Sequence, residues 1–144
     1  MIQKAEINDL PVLAELACRL WPDNSAEEMQ MEFAKIISKS DAACFLAMEE
    51  GKAVGFAQCQ LRYDYVEGTE SSPVGYLEGI YVADDYRKQG IAKLLLSDCE
   101  SWARTKGCTE FASDCELRNT ESLKFHLSVG FEEANRIICF TKKL

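Results

Sequence analysis

The stretch LEGIYVADDYRKQGIAKLL, from Leu77 to Leu95, joins a carboxylate to an anion cradle. Arg87, Lys88, Gln89, Gly90, Ile91, Ala92 and Lys93 follow an apolar, β-rich run and a polar turn at Ala83–Asp85. Backbone N–H groups at a helix start point outward where the helix dipole is positive. Small residues such as Gly90 and Ala92 let a phosphate come close to them. The same pattern also makes an ordinary strand-to-helix turn. Glu78 lies just upstream, between Leu77 and Ile80. A carboxylate in partly apolar surroundings can take a proton from an amine, directly or through water. The plain alternative is a solvent-facing strand residue. Gly79 permits a β-bulge that would splay the strand. Asp114 ends a short apolar run and precedes a loop, a position where sheet proteins place site residues or simple turns. Asp64, Glu67 and Glu70 are solvated loop acids singly, and the rim of a cation site together. Trp21 and Tyr65 sit in loops, as hydrophobic plugs or as faces for sugars and cationic amines.

The chain has 144 residues, enough for one domain with its own core. Its formal net charge is −8, which argues against a nucleic-acid binder. The acidity fits a solvated surface or a cleft that attracts a cation. Seven cysteines occur without a CxxC pair, and His126 is the only histidine, so a zinc site is not expected. Most of the cysteines lie among apolar residues and read as reduced core thiols. No apolar run reaches membrane-spanning length, and no signal peptide is evident at the N-terminus. A cytoplasmic protein is expected.

The elements that must position these residues follow from apolar periodicity. Ile2–Glu6 reads as a strand. Asn8 is the expected cap of a helix reaching Trp21, with Pro11 in its first turns. Ser25 and Glu28 form a capping box for a second helix with Met29, Phe33, Ile36 and Ile37 inward. Cys44–Glu49 and Ala53–Arg62 form a hairpin about Gly51. Val74–Val82 is a strand, and Gly90–Lys106 a helix burying Ile91, Leu94, Leu95, Cys99 and Trp102. Thr109–Ser113 is a strand and Asn119–Val129 a helix. Phe131–Glu133 and Ile137–Thr141 are expected as two final strands. The order is β-α-α-β-β-β-α-β-α-β-β, a mixed α/β sheet covered by helices in one domain, residues 1–144.

Arg87-x-x-Gly90-x-Ala92 behind its strand resembles the acyl-CoA pyrophosphate loop of the GCN5-related N-acetyltransferases. Asn119-x-x-Ser122-x-x-x-His126-x-x-x-Gly130-Phe131 resembles the same family's second signature, with His126 where a tyrosine is common. The element order is the one expected for that family. Leu61–Val74, Leu77–Val82, Glu110–Asp114 and Leu20–Pro22 are also similar to aminoglycoside 6'-N-acetyltransferases. The resemblance implies acetyl-CoA as co-substrate, held at Ile80, Tyr81, Val82 and Arg87–Lys93, with Asn119 on the pantetheine arm. It implies that Glu78, or alternatively Asp114, takes the proton of an attacking amine, and that His126 protonates or flanks the departing thiolate. It implies Trp21, Tyr65, Glu78, Asp114 and Asn135 as substrate contacts. Asn135 stands where related enzymes carry a glutamate. A homodimer joined near Cys139–Lys142 is a further implication. Acetylation of polyamines, and a non-catalytic acyl-CoA sensor, are the competing functions.

Overall fold

The computed structural model describes residues 1–144. Five strands, β1 (Ile2–Lys4), β2 (Ala42–Glu49), β3 (Lys52–Arg62), β4 (Val74–Val82) and β5 (Phe111–Ser113), lie side by side in sequence order. β1 to β4 pair antiparallel, and β5 joins β4 in parallel. Four helices cover the sheet: α1 (Leu10–Leu20), α2 (Ala26–Ser38), α3 (Ile91–Thr105) and α4 (Thr120–Ser128).

Side-chain alternation in the central strands explains why both faces need helices. Ala43, Phe45 and Ala47 of β2 turn to one face and join Leu95, Leu96, Cys99 and Trp102 of α3. Cys44 and Leu46 turn to the other, with Phe56, and meet Leu13, Leu16 and Ala17 of α1 and Met29 and Phe33 of α2. Phe33 and Phe56 are fully buried and meet edge to face, with centroids 5.9 Å apart. Each such ring contributes about 1.5–3 kcal/mol by burial.

Local signals explain most boundaries. Ser25 Oγ accepts from the Glu28 N–H at 3.1 Å and starts α2 as expected. Pro11 opens α1, but the cap differs from expectation. A short 3-10 turn at Ile7–Asp9 intervenes, and Asp9 precedes the helix while its carboxylate accepts from the Glu6 N–H. Asn8 therefore lies inside that turn. On α3, Leu94 points outward and is 54% exposed, and Leu96 is buried in its place. Cys44, Cys59, Cys99 and Cys108 are buried free thiols, whereas Cys115 and Cys139 are exposed. Burial pushes the Cys44 thiol far above its ordinary range, and so suppresses its reactivity.

The two final strands are not formed. Past α4, Phe131–Leu144 has no regular structure, and Ile137, Ile138 and Phe140 are 72%, 81% and 86% exposed. Their apolar run is strand-like, yet no ladder joins it to the five-stranded sheet. The observed order is therefore β-α-α-β-β-β-α-β-α. No helix is long and apolar enough to cross a membrane.

Candidate active site

Glu78 owes its position to a break in the β3–β4 ladder. Cys59 pairs with Leu77 and Gln58 with Gly79, so Glu78 is the extra residue of a β-bulge. Gly79, which permits such a bulge, is the paired residue beside it. Trp21 supplies the reason that residue is glycine. A Cβ built on Gly79 would stand 2.6 Å from Cη2 and Cζ2 of the indole. Trp21 follows the last turn of α1, its N–H bonded to the Ala17 carbonyl, and its ring meets Phe56 edge-on at 6.0 Å. Trp21 is half-buried and packs as a plug against Phe56.

A residue absent from the sequence-based site dominates the electrostatics. Arg62, the last residue of β3, forks onto Glu78. Its Nε and Nη2 donate to Oε1 at 3.0 and 2.9 Å, and Nη2 also donates to Oε2 at 3.0 Å. The guanidinium carbon lies 3.4 Å from the centroid of the Tyr76 ring. Tyr76 in turn donates its hydroxyl proton to Asp114 Oδ2. Burial foremost, and then that hydrogen bond, push the phenol well above its ordinary range, so it remains a donor. Glu78, Arg62, Tyr76 and Asp114 thus form one connected unit. No sequence pattern marks it, because Arg62 meets Glu78 across sixteen positions.

β4 and β5 pair only from Gly75–Phe111 to Leu77–Ser113. Beyond that point Glu78–Val82, which includes Ile80, Tyr81 and Val82, has no β5 neighbour. Backbone groups on that side are left for another partner. The turn after β4 holds Arg87 firmly. Its Nε donates to the Val82 carbonyl at 2.8 Å and its Nη2 lies 3.1 Å from Asp84. Lys88 has φ +61° and Gly90 φ +81°, and a Cβ at Gly90 would meet nothing within 4 Å. Gln89 Nε2 donates to the Asp85 carbonyl at 3.4 Å. The first N–H groups of α3, at Ile91, Ala92 and Lys93, face outward without helical partners. An open glycine corner, free amides and the positive end of a fifteen-residue helix suit a diphosphate.

Asn119 caps α4, its Oδ1 accepting from the Ser122 N–H at 3.1 Å, so its Nδ2 is what remains for an external group. His126 sits between Phe125 and Phe131. Its Nδ1 lies 2.6 Å from the Ser122 carbonyl, which can only accept, so Nδ1 carries the proton. Its Nε2 lies 2.8 Å from Ser113 Oγ, and that hydroxyl reaches the Leu77 carbonyl at 3.4 Å. Both ring nitrogens are therefore occupied, and His126 faces the β4–β5 gap through Ser113.

The loop between β3 and β4 is anchored at both ends. Val66 packs with Val74 and Tyr76, and Glu110 accepts from the Glu70 and Ser71 N–H groups at 2.9 and 2.8 Å and from the Ser71 hydroxyl. Tyr65 is left 75% exposed, its ring free. Asn135 bonds Glu67 at 3.5 Å rather than Glu78 or Asp114, and Ala134 covers Gly68. Of the three loop acids, Glu67 is the one the C-terminal segment meets, beside Gly68.

This arrangement has close parallels. The acetyltransferase (GNAT) family profile matches residues 10–131. The aminoglycoside N(6')-acetyltransferase type 1 of Serratia marcescens is 39% identical over 145 residues, covering all of this chain and 99% of the relative. Two solved structures superpose over the whole chain at 38% identity. One is AAC(6')-Iy in complex with the bisubstrate analogue CoA-S-monomethyl-acetylneamine, with a TM-score of 0.96 and 98% of it covered. The other is AAC(6')-IG from Acinetobacter haemolyticus in its apo form, with a TM-score of 0.95 and 99% covered. A bulged carboxylate beside an open strand edge and a glycine-cornered helix start, together with these matches, establish that the chain belongs to the acetyltransferase (GNAT) family.

Proposed function

We propose that this chain is an aminoglycoside 6'-N-acetyltransferase that moves the acetyl group of acetyl-CoA to the 6'-amino group of the drug, conferring resistance. The observation that carries the reading is the meeting of Glu78 and Asp114, through Arg62 and Tyr76, beside the unpaired half of β4. The relatives' identity and coverage support the substrate class.

Acetyl-CoA supplies the acyl group as a thioester. Arg87–Lys93 would hold its diphosphate through backbone N–H groups, and Asn119 Nδ2 and the outward amides of Ile80 and Val82 would hold the arm. An ammonium has no lone pair, so the substrate amine must lose a proton before it attacks. Glu78 accepts that proton, either directly at Oε2 or through water. Asp114 orients the cationic sugar while Tyr76 steadies its carboxylate. Trp21 and Tyr65 offer flat faces to the rings. With its proton on Nδ1, His126 has none on Nε2 to give a departing thiolate, and it meets the gap as the acceptor that orients the Ser113 hydroxyl.

Homodimerisation is part of the reading. Ile137, Ile138 and Phe140 leave an apolar strip exposed that a second copy would cover. Phe140→Asp should then convert a sedimenting dimer to monomer, and an unchanged sedimentation coefficient would refute this. A cytoplasmic setting agrees with acetyl-CoA as donor and with seven unpaired thiols.

The central test is release of CoA with kanamycin, with a 6'-hydroxyl analogue and with spermidine. Turnover on kanamycin alone is expected, with Glu78→Gln lowering kcat by roughly 10²–10⁴-fold and CoA affinity retained. Turnover on spermidine alone, or tight CoA binding without transfer to any amine, overturns the proposal. Near-normal turnover in Glu78→Gln removes Glu78 from the base role.

A further inference from the structure

The fork of Arg62 on Glu78 poses a problem for any cationic substrate. A carboxylate offers about four acceptor positions, and Arg62 occupies three of them. One position on Oε2 is left. The guanidinium is not free to swing, because it is stacked on Tyr76 at 3.4 Å, and Tyr76 is buried and tied to Asp114. The Arg62 side chain is 38% exposed and that of Glu78 20%, so this pair opens to the cleft rather than lying in the core. A cation is thus built into the place that an incoming ammonium must share.

We infer that Arg62 is a positioning residue that turns Glu78 toward the amine and at the same time competes with substrate cations for it. This rests on Glu78 acting on the substrate amine, as proposed above. The guanidinium fixes the carboxylate plane, because a planar bidentate fork allows one orientation only. It also removes much of the attraction that a bare Glu78 would exert on a polycation. Binding of the drug in the ground state is weakened, while the single free Oε2 position is aimed. Arg62 therefore trades affinity for orientation, and its loss should move kcat and binding in opposite directions. A residue that merely braced β3 against β4 would lower the folded fraction and leave affinity unchanged.

The experiment uses the whole chain, with kanamycin as probe. Calorimetry in the presence of CoA gives the drug Kd, and steady-state kinetics gives kcat, for wild type, Arg62→Met, Glu78→Gln and the double variant. Arg62→Met should tighten Kd by roughly 3- to 10-fold, the worth of an ordinary net hydrogen bond at this partly exposed pair, and lower kcat. In the Glu78→Gln background the same change should alter Kd by less than about twofold, because the coupling has been removed. Arg62→Lys keeps the charge without the fork. It should hold the wild-type Kd with a reduced kcat, and it carries the test if Arg62→Met fails to fold. Unchanged or weaker kanamycin binding in Arg62→Met, equal tightening in the Glu78→Gln background, or wild-type kcat in Arg62→Lys each overturns the inference. Wild-type turnover in Glu78→Gln would instead sink the base role, whatever Arg62 does to binding.

Discussion

Replacing Gly79 by alanine should test the bulge, the indole and its proposed contact with the drug in a single step. The added methyl would lie 2.6 Å from two ring carbons of Trp21. That is about 1 Å inside the ordinary 3.5–4.0 Å carbon separation. The φ of Gly79 is not in the left-handed region, so the backbone accepts alanine and any cost is steric. The ring cannot absorb the shift freely, because Phe56 stands behind it and is fully buried. Overpacking of this kind costs about 1–3 kcal/mol. Urea unfolding should show that loss. Fluorescence in a Trp102→Phe background isolates Trp21, whose emission should move to the red as the ring is pushed outward. The KM for kanamycin should rise while the KM for acetyl-CoA stays fixed, since the anion turn lies beyond β4. Wild-type stability with unchanged emission would show that the indole does not rest on Gly79, and would refute the reasoning.

Other outcomes follow from particular contacts. Gly90→Ala meets no atom within 4 Å but must hold φ +81°, so its cost is conformational, about 1–2 kcal/mol. CoA affinity measured by calorimetry should fall with it, and unaltered affinity would exclude this corner from the cradle. Glu110 has its carboxyl held below its ordinary 4.5, first by the Ser71 hydroxyl and then by the Glu70 N–H. A depressed carboxyl stabilises the fold above its unfolded value and loses that contribution as pH falls through the folded one. Glu110→Gln should thus be less stable than wild type by a constant amount above about pH 5, and the gap should close below pH 4.5. A gap that does not narrow at all as pH falls below 4.5 would count against the clasp.

How far the sequence could carry these conclusions varied by element. Val74–Val82 was legible to the residue, because an apolar run ends at a polar turn and a glycine corner. So was the second helix, whose Ser25 cap and inward Met29 and Phe33 are local signals. The C-terminal strands misled, since Ile137–Phe140 has strand composition but its pairing depends on a partner that local pattern cannot show. Leu94 and Leu96 were exchanged by a small error in helical phase. Arg62, Tyr76 and Ser113 were missed as site residues for a common reason. Each acts through a neighbour distant in sequence, and a lone arginine at a strand end carries no periodic mark.

The bulge at Glu78 also works as a frameshift within the sheet. In an unbroken strand, residues an odd number apart turn to opposite faces. Leu77 and Val82 are five apart, yet both join the core beneath α3, with Ile80 packed against it, while Tyr81 packs on the α1–α2 side. Only the extra residue makes that parity possible. Exchanging Glu78 for another side chain alters chemistry and leaves the frame intact. Deleting it would leave Leu77 and Val82 four apart, restore a regular ladder opposite Cys59, Gln58 and Ala57, and keep Ile80 and Val82 on the α3 face. The acidic group thus stands on the one position of the strand that the hydrophobic core does not require. In β4, the extra residue is therefore carried for the site and not for the core, and its deletion should cost activity rather than the fold.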